Sequence, residues 1–239
     1  IYTGEDTLSL HDALPIYAQK NIVHYHIDAA PRLGSVPVGA HVVVLVDASR
    51  SLTNDDTNAE LAMARAFVGH FPEGRIAVVP FDRKVRNGGG FVSVSQARSA
   101  LQTLAVDRQN RSHVDVALAH ADVLLAKTPM GLARRILLLT DSRTRTELTP
   151  ELLKSKLAKS GALLHVGIAT SASKTSLTRD ERHAWNAITR PVGGLVWDAG
   201  LDTYEQNDDA EKVIFEEWAR PKRIDHFAVH AQGLEENMT

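Results

Sequence analysis

The chain has 239 residues, 44% of them apolar and 23% charged, with 27 Lys and Arg against 29 Asp and Glu. That near-neutral, apolar-rich balance excludes a disordered chain and a polycationic nucleic-acid binder. The absence of cysteine excludes disulfides, thiolate catalysis and Cys-ligated metal centres, and the longest wholly aliphatic run, Val42 to Val46, is far short of the roughly 20 residues that span a bilayer.

In chain order, Thr7 to Ile16 (Thr-Leu-Ser-Leu-His-Asp-Ala-Leu-Pro-Ile) resembles one reading frame of a common sequencing-library adapter, so residues 1–16 are expected to be a non-native segment. Residues 17–39 read as a strand and linker from a truncated upstream domain. Between Asn21 and Asp28, Val23, Tyr25 and Ile27 alternate with Ile22, His24 and His26, and Pro31, Gly34, Pro37 and Gly39 then punctuate a linker. His24 and His26 share a face with no third ligand in sight, and a solvated edge accounts for them.

His41 to Asp47 is apolar without alternation, the pattern of a central strand covered on both faces. A helix is expected over Asn54–Phe71, with Leu61, Ala64, Phe67, Val68 and Phe71 on one stripe and Asp55 and Asp56 at its positive end. Strands follow at Arg75–Phe81 and, as an edge hairpin partner after Asn87–Gly90, at Phe91–Val94. Further helices are expected at Gln96–Leu104, His113–Lys127, Thr149–Ser160 and Arg179–Ile188, and strands at Arg135–Thr140, Leu163–Ile168 and Gly194–Trp197. A last helix, Asp208–Arg220, ends before Pro221, and Arg223–His230 alternates as a strand in a truncated downstream segment covering 222–239. Strands alternating with crossover helices predict a doubly wound, mostly parallel α/β sheet with helices on both faces, occupying 40–221.

In such sheets ligands bind beyond the carboxyl ends of the strands, where strand order reverses. Asp47, Ser49 and Ser51 follow the first strand, Asp141 follows the Arg135–Thr140 strand, and Ser112 opens the helix between them. Two carboxylates and three hydroxyls make an all-oxygen donor set suited to Mg²⁺, Mn²⁺ or Ca²⁺ rather than to zinc. Hydroxyls are neutral, so a cation held mainly by them keeps net charge and seeks an external anion. Taken alone, Asp47 and Ser49 could equally cap the next helix.

Asp47-x-Ser49-x-Ser51 at the end of an aliphatic strand resembles the opening motif of the metal-ion-dependent adhesion site (MIDAS) of von Willebrand factor A domains. Ser112, six residues before Leu118, matches that family's Thr position, and Asp141 in Leu138-Leu-Thr-Asp141 matches its last Asp. The departures are Ser for Thr at 112, which loses a methyl group that fixes the rotamer, Arg50 for a common Gly, and Ser142 for another. The resemblance implies a Rossmann-like fold over about Ala40 to Arg220 and a module that binds without turnover. It also implies a cation touched by the serines and approached by the aspartates through water, with a Glu or Asp of a protein partner completing the octahedron. The strand and linker upstream and Phe215-Glu-Glu-Trp218-Ala-Arg-Pro221 downstream are similar to bacterial proteins joining an inter-alpha-trypsin-inhibitor-type (VIT) domain to an A domain, which implies an extracytoplasmic setting.

A rival class is a Mg²⁺-dependent phosphohydrolase of haloacid-dehalogenase-like type, which also places an Asp after the first strand but needs a second Asp where Ser49 stands. A third reading is a metal-free, degenerate scaffold marked by Ser112 and Ser142. Three neighbouring features have plainer readings. His113 and Asp115 read as first-turn polar residues, Arg134, Arg135, Arg143 and Arg145 as solvated loop ends, and Trp197 and Trp218 as packing anchors.

Overall fold

A computed structural model describes residues 36–86, 89–105, 112–141, 149–169, 178–179 and 183–199. The adapter-like segment, the strand at 21–28 with His24 and His26, the helix at 208–220, the strand at 223–230, Arg143, Arg145, Ser142 and Trp218 lie outside the described residues.

Strand β1 (His41–Asp47) is buried from Val42 onward, as its unbroken apolar run requires. Helix α1 (Asn54–Gly69) follows, and Thr53 starts it with a capping box. The Asp56 N–H donates to Thr53 Oγ1 at 3.1 Å, and the Asp56 carboxylate accepts from the Thr53 N–H at 2.8 Å and hydroxyl at 2.7 Å. Replacing Thr53 with Ala is expected to lower stability by about 1 kcal/mol, read as a reduced urea midpoint with an unchanged m-value.

Strand β2 (Arg75–Phe81) runs parallel to β1, with Val42 opposite Ile76. The short β3 (Val92–Ser93) pairs antiparallel with β2, as expected of the edge partner. Helix α2 (Val94–Gln102) begins two residues earlier than its apolar pattern implies, because Ser93 and Gln96 form a second capping box. Helix α3 (Val114–Ala126) and strand β4 (Arg134–Thr140) match the expected elements within a residue at most boundaries.

Helix α4 (Pro150–Ser155) stops five residues short of the expected end at Ser160. The Asp122 carboxylate on α3 accepts the Lys159 and Ser160 N–H groups at 3.0 and 2.8 Å, which holds that segment in turns. Strand β5 (Leu163–Ala169) is as expected. The helix expected over Arg179–Ile188 is found only in its last residues among those described. Thr178–Arg179 is strand β6, paired antiparallel with β7 (Val196–Ala199), and among the described residues of this segment Asn186–Thr189 (α5) is helical before a 3₁₀ turn at Arg190–Val192. Edge pairing claims the first residue, Arg179, and Pro191 ends the α-helical hydrogen bonding just beyond the last.

Among the described residues seven strands lie in the order β3-β2-β1-β4-β5-β7-β6, with β2, β1, β4, β5 and β7 parallel and both edges antiparallel. Alternate side chains of β1 enter opposite cores. Val43 and Leu45 pack with Val114, Leu118 and Leu125 of α3, while Val42, Val44 and Val46 pack with Leu61, Ala64, Phe67 and Val68 of α1. The fold is therefore the doubly wound sheet anticipated. From β1 the chain moves outward through β2 to β3, then crosses back to place β4 on the other side of β1. The switch point, and hence the crevice, lies beyond the ends of β1 and β4.

Candidate metal centre

The last residue of β1 is Asp47, whose side chain is 0% exposed. Its Oδ1 accepts the Ser49 N–H at 2.9 Å, which turns the chain upward off the strand. Its Oδ2 accepts the Ser112 hydroxyl at 2.8 Å and the Thr140 hydroxyl at 2.9 Å. Ser112 is held in place by the next residue, because the His113 N–H donates to the Asp82 carbonyl just beyond β2 at 2.8 Å. Ser49 is nearly buried and Ser51 exposed, and their hydroxyls lie 2.8 Å apart. The oxygens thus form a path from a fully buried carboxylate to an open rim.

The parallel register sets Val46 opposite Leu139, so Thr140 stands beside Asp47 and Asp141 emerges one residue further along the same edge. Asp141 is buried, at 8% exposure. Four of the five residues singled out from the sequence, Asp47, Ser49, Ser51 and Ser112, are linked by hydrogen bonds, and strand register carries Asp141 to the same crevice. Thr140 and Glu60 were not foreseen. Thr140 was read as part of a buried strand, although its hydroxyl immediately before Asp141 is a usable signal. Glu60 lies on the buried face of α1 and is 0% exposed.

Every group bonded to the Asp47 carboxylate is neutral. Burial raises its pKa above the usual carboxylate range, and the hydrogen bonds from Ser112, Thr140 and Ser49 pull against that rise. Asp82, the acid just beyond β2, is different: Arg86 Nε donates to it at 2.6 Å and the Lys84 N–H at 2.9 Å. Asp82 has its counter-charge and is unsuited to a cation.

A buried carboxylate surrounded only by neutral donors carries charge that the fold leaves uncompensated, and a divalent cation would supply the missing sign. The donor chemistry fits: all oxygens, with hydroxyls at the open side. Among the described residues no three carboxylate or imidazole side chains are grouped to hold a metal by themselves, so a cation here would need the serine hydroxyls.

Residues 42–143 match the family model of the von Willebrand factor type A domain. Solved structures share the architecture. One is an aerotolerance-related membrane protein from Bacteroides fragilis NCTC 9343, with TM-score 0.55 and 14% identity over 76% of this chain and 98% of that one. A second is the conserved hypothetical protein BatB from Bacteroides thetaiotaomicron, with TM-score 0.55 and 15% identity over 75% and 97%. A third is proximal thread matrix protein 1 from the mussel byssus, solved with a zinc-occupied MIDAS motif, with TM-score 0.55 and 16% identity over 80% of this chain and 49% of that one. The fold is that of a von Willebrand factor type A domain. No curated protein matches the chain.

Within that A-domain fold two further polar residues stand beside Ser112. His113 precedes α3 without a side-chain cap bond, and Asp115 occupies the first turn. Arg134 and Arg135, expected as solvated loop ends, are bound in at the opposite end of the sheet. The Arg134 guanidinium donates to the Ser160 carbonyl, the Thr128 hydroxyl and the Thr128 carbonyl at 2.8, 3.0 and 2.8 Å, closing the turn before β4. Arg135 is buried, which lowers its pKa to about 10. Trp197 is buried in the α1-side core, as a packing anchor should be.

Proposed function

We propose that the chain carries a divalent-cation-dependent protein-binding module, in which Asp47, Ser49, Ser51, Ser112 and Asp141 hold the ion. The observation that carries this reading is the Asp47 carboxylate, wholly buried at the switch point and bonded only by neutral groups, with the Ser49 and Ser51 hydroxyls leading out to solvent. The hard oxygen set favours Mg²⁺ or Mn²⁺, with Ca²⁺ next. A cation ligated this way retains positive charge at its open side and rewards a Glu or Asp carboxylate of a partner protein above any neutral group.

Binding without turnover follows from the same residues. No second carboxylate stands two residues after Asp47, where a phosphohydrolase would need its general acid, and the Ser49 hydroxyl there is paired with Ser51. An extracytoplasmic setting is supported by the Bacteroides fragilis structure, described as a membrane protein. Among the described residues no helix is long and apolar enough to cross a membrane.

Thermal unfolding of the full chain tests the reading. A hundred-fold excess of Mg²⁺ or Mn²⁺ over Kd is expected to raise Tm by about 5 °C or more, and EDTA to reverse it. Asp141→Ala should remove the gain. A wild-type Tm indifferent to both cations, or phosphatase turnover on a generic phosphomonoester, would defeat the proposal.

A further inference from the structure

Helix α1 leaves the crevice and runs back along the sheet, packing against β1, β4, β5 and β7. Its buried stripe repeats at helical spacing through Glu60, Ala64 and Phe67 and continues to Phe71, two residues past the helix end. Three of these are apolar, as a core stripe should be, and the member nearest the start of the helix is a carboxylate. Glu60 is 0% exposed, and neither of its oxygens has a hydrogen-bond partner. The charges acting on it are those of Asp47, Asp141 and Asp56, all of its own sign.

A side chain in this state is costly in either protonation form. The charged form has neither water nor a counter-ion, and the neutral form has an O–H with nothing to accept it. Burial first, and then the neighbouring carboxylates, push its pKa well above the usual range. A Leu or Met would fill the same stripe at no electrostatic cost. Asp56, one turn earlier, is spent on the Thr53 cap, whereas Glu60 is bonded to nothing in its surroundings.

We infer that Glu60 is a third carboxylate of the cation site, lying behind Asp47 and Asp141 and supplying negative charge that a divalent ion at the serine rim compensates without touching it. This rests on the cation-binding reading above and adds a residue to it. Among the five ligand residues only Asp47 and Asp141 carry formal charge, and Glu60, without touching the ion, adds a third carboxylate deeper in the crevice. A third carboxylate raises the affinity of the apo site for the ion. Ions that place only one charge in the crevice gain correspondingly less from it.

The experiment uses the full chain with Glu60→Gln and Glu60→Met, titrated with Mn²⁺ and followed by the loss of the free-ion paramagnetic resonance signal, with Asp141→Ala as reference. Both Glu60 variants are expected to weaken Mn²⁺ binding by about ten-fold or more, while Asp141→Ala abolishes it. Their Tm in EDTA should equal or exceed that of the wild type, because a buried, unbonded acid has been removed. Mn²⁺ affinity within two-fold of wild type in both variants would overturn the inference while leaving the cation site standing. A wild-type chain that takes up no Mn²⁺ would remove the site itself and Glu60's role with it. If one variant fails to fold, the other decides on the same criterion.

Discussion

Asp47→Asn is expected to abolish the cation-induced rise in Tm while leaving the metal-free fold intact. Asparagine keeps the size of the carboxylate and one carbonyl acceptor, so part of the Ser49, Ser112 and Thr140 network survives, but the charge that attracts the ion is gone. Asp47→Ala should lose the response as well and also strand those three donors, at about 1–3 kcal/mol for each one left buried and unbonded. Relief of repulsion against Glu60 offsets part of that cost. The pair therefore separates charge from packing. In differential scanning calorimetry the Asn variant should melt near the metal-free wild type in both EDTA and Mg²⁺, and the Ala variant below both. An Asn variant that still gains stability from Mg²⁺ would show that the ion does not depend on Asp47.

The largest effect on folding is expected at Gly194, in the turn that brings the chain back into β7. A Cβ there would fall on the Leu164 carbonyl oxygen and carbon, which are backbone atoms of β5 with no rotamer to yield. The same turn is pinned by the Gly194 N–H donating to the Thr189 carbonyl at 2.8 Å, and the Leu195 carbonyl accepts the Val166 N–H at 2.9 Å. Gly194→Ala must therefore separate β7 from β5 or abandon both bonds, at about 3 kcal/mol or more, seen as a fall in Tm of roughly 6–12 °C or as failure to accumulate folded protein. Gly90→Ala is the matched control, because its Cβ would meet nothing within 4 Å. Equal stability of the two variants would mean that β7 is not seated against β5 in this way.

The central strands were legible because burial on both faces leaves an apolar run without alternation, and β1, β2, β4 and β5 lie within a residue or two of where composition places them. The cation-site candidates were legible for a related reason. Residues that follow a parallel strand cluster at one edge, so Asp47, Ser112 and Asp141 can be associated across the sequence once the strands are identified. What could not be read depends on distant partners. The end of α4 is set by Asp122 on another helix, and Thr178–Arg179 is drawn into the sheet by β7, neither of which leaves a local mark. Glu60 was missed for a different reason. It follows Asn54-Asp-Asp-Thr-Asn-Ala59, a polar stretch in which one more acid looks solvent-facing, and only its phase against Ala64, Phe67 and Phe71 reveals that it points into the core. Arg134 shows the converse, a cation at a strand start that resembles surface decoration until its carbonyl and hydroxyl acceptors are located.

Among the described residues the sheet begins and ends on two-residue antiparallel strands, β3 and β6. A two-residue margin presents few backbone groups of its own for a foreign strand to pair with. Self-association by edge addition is thereby discouraged at these two margins, even when many copies crowd together.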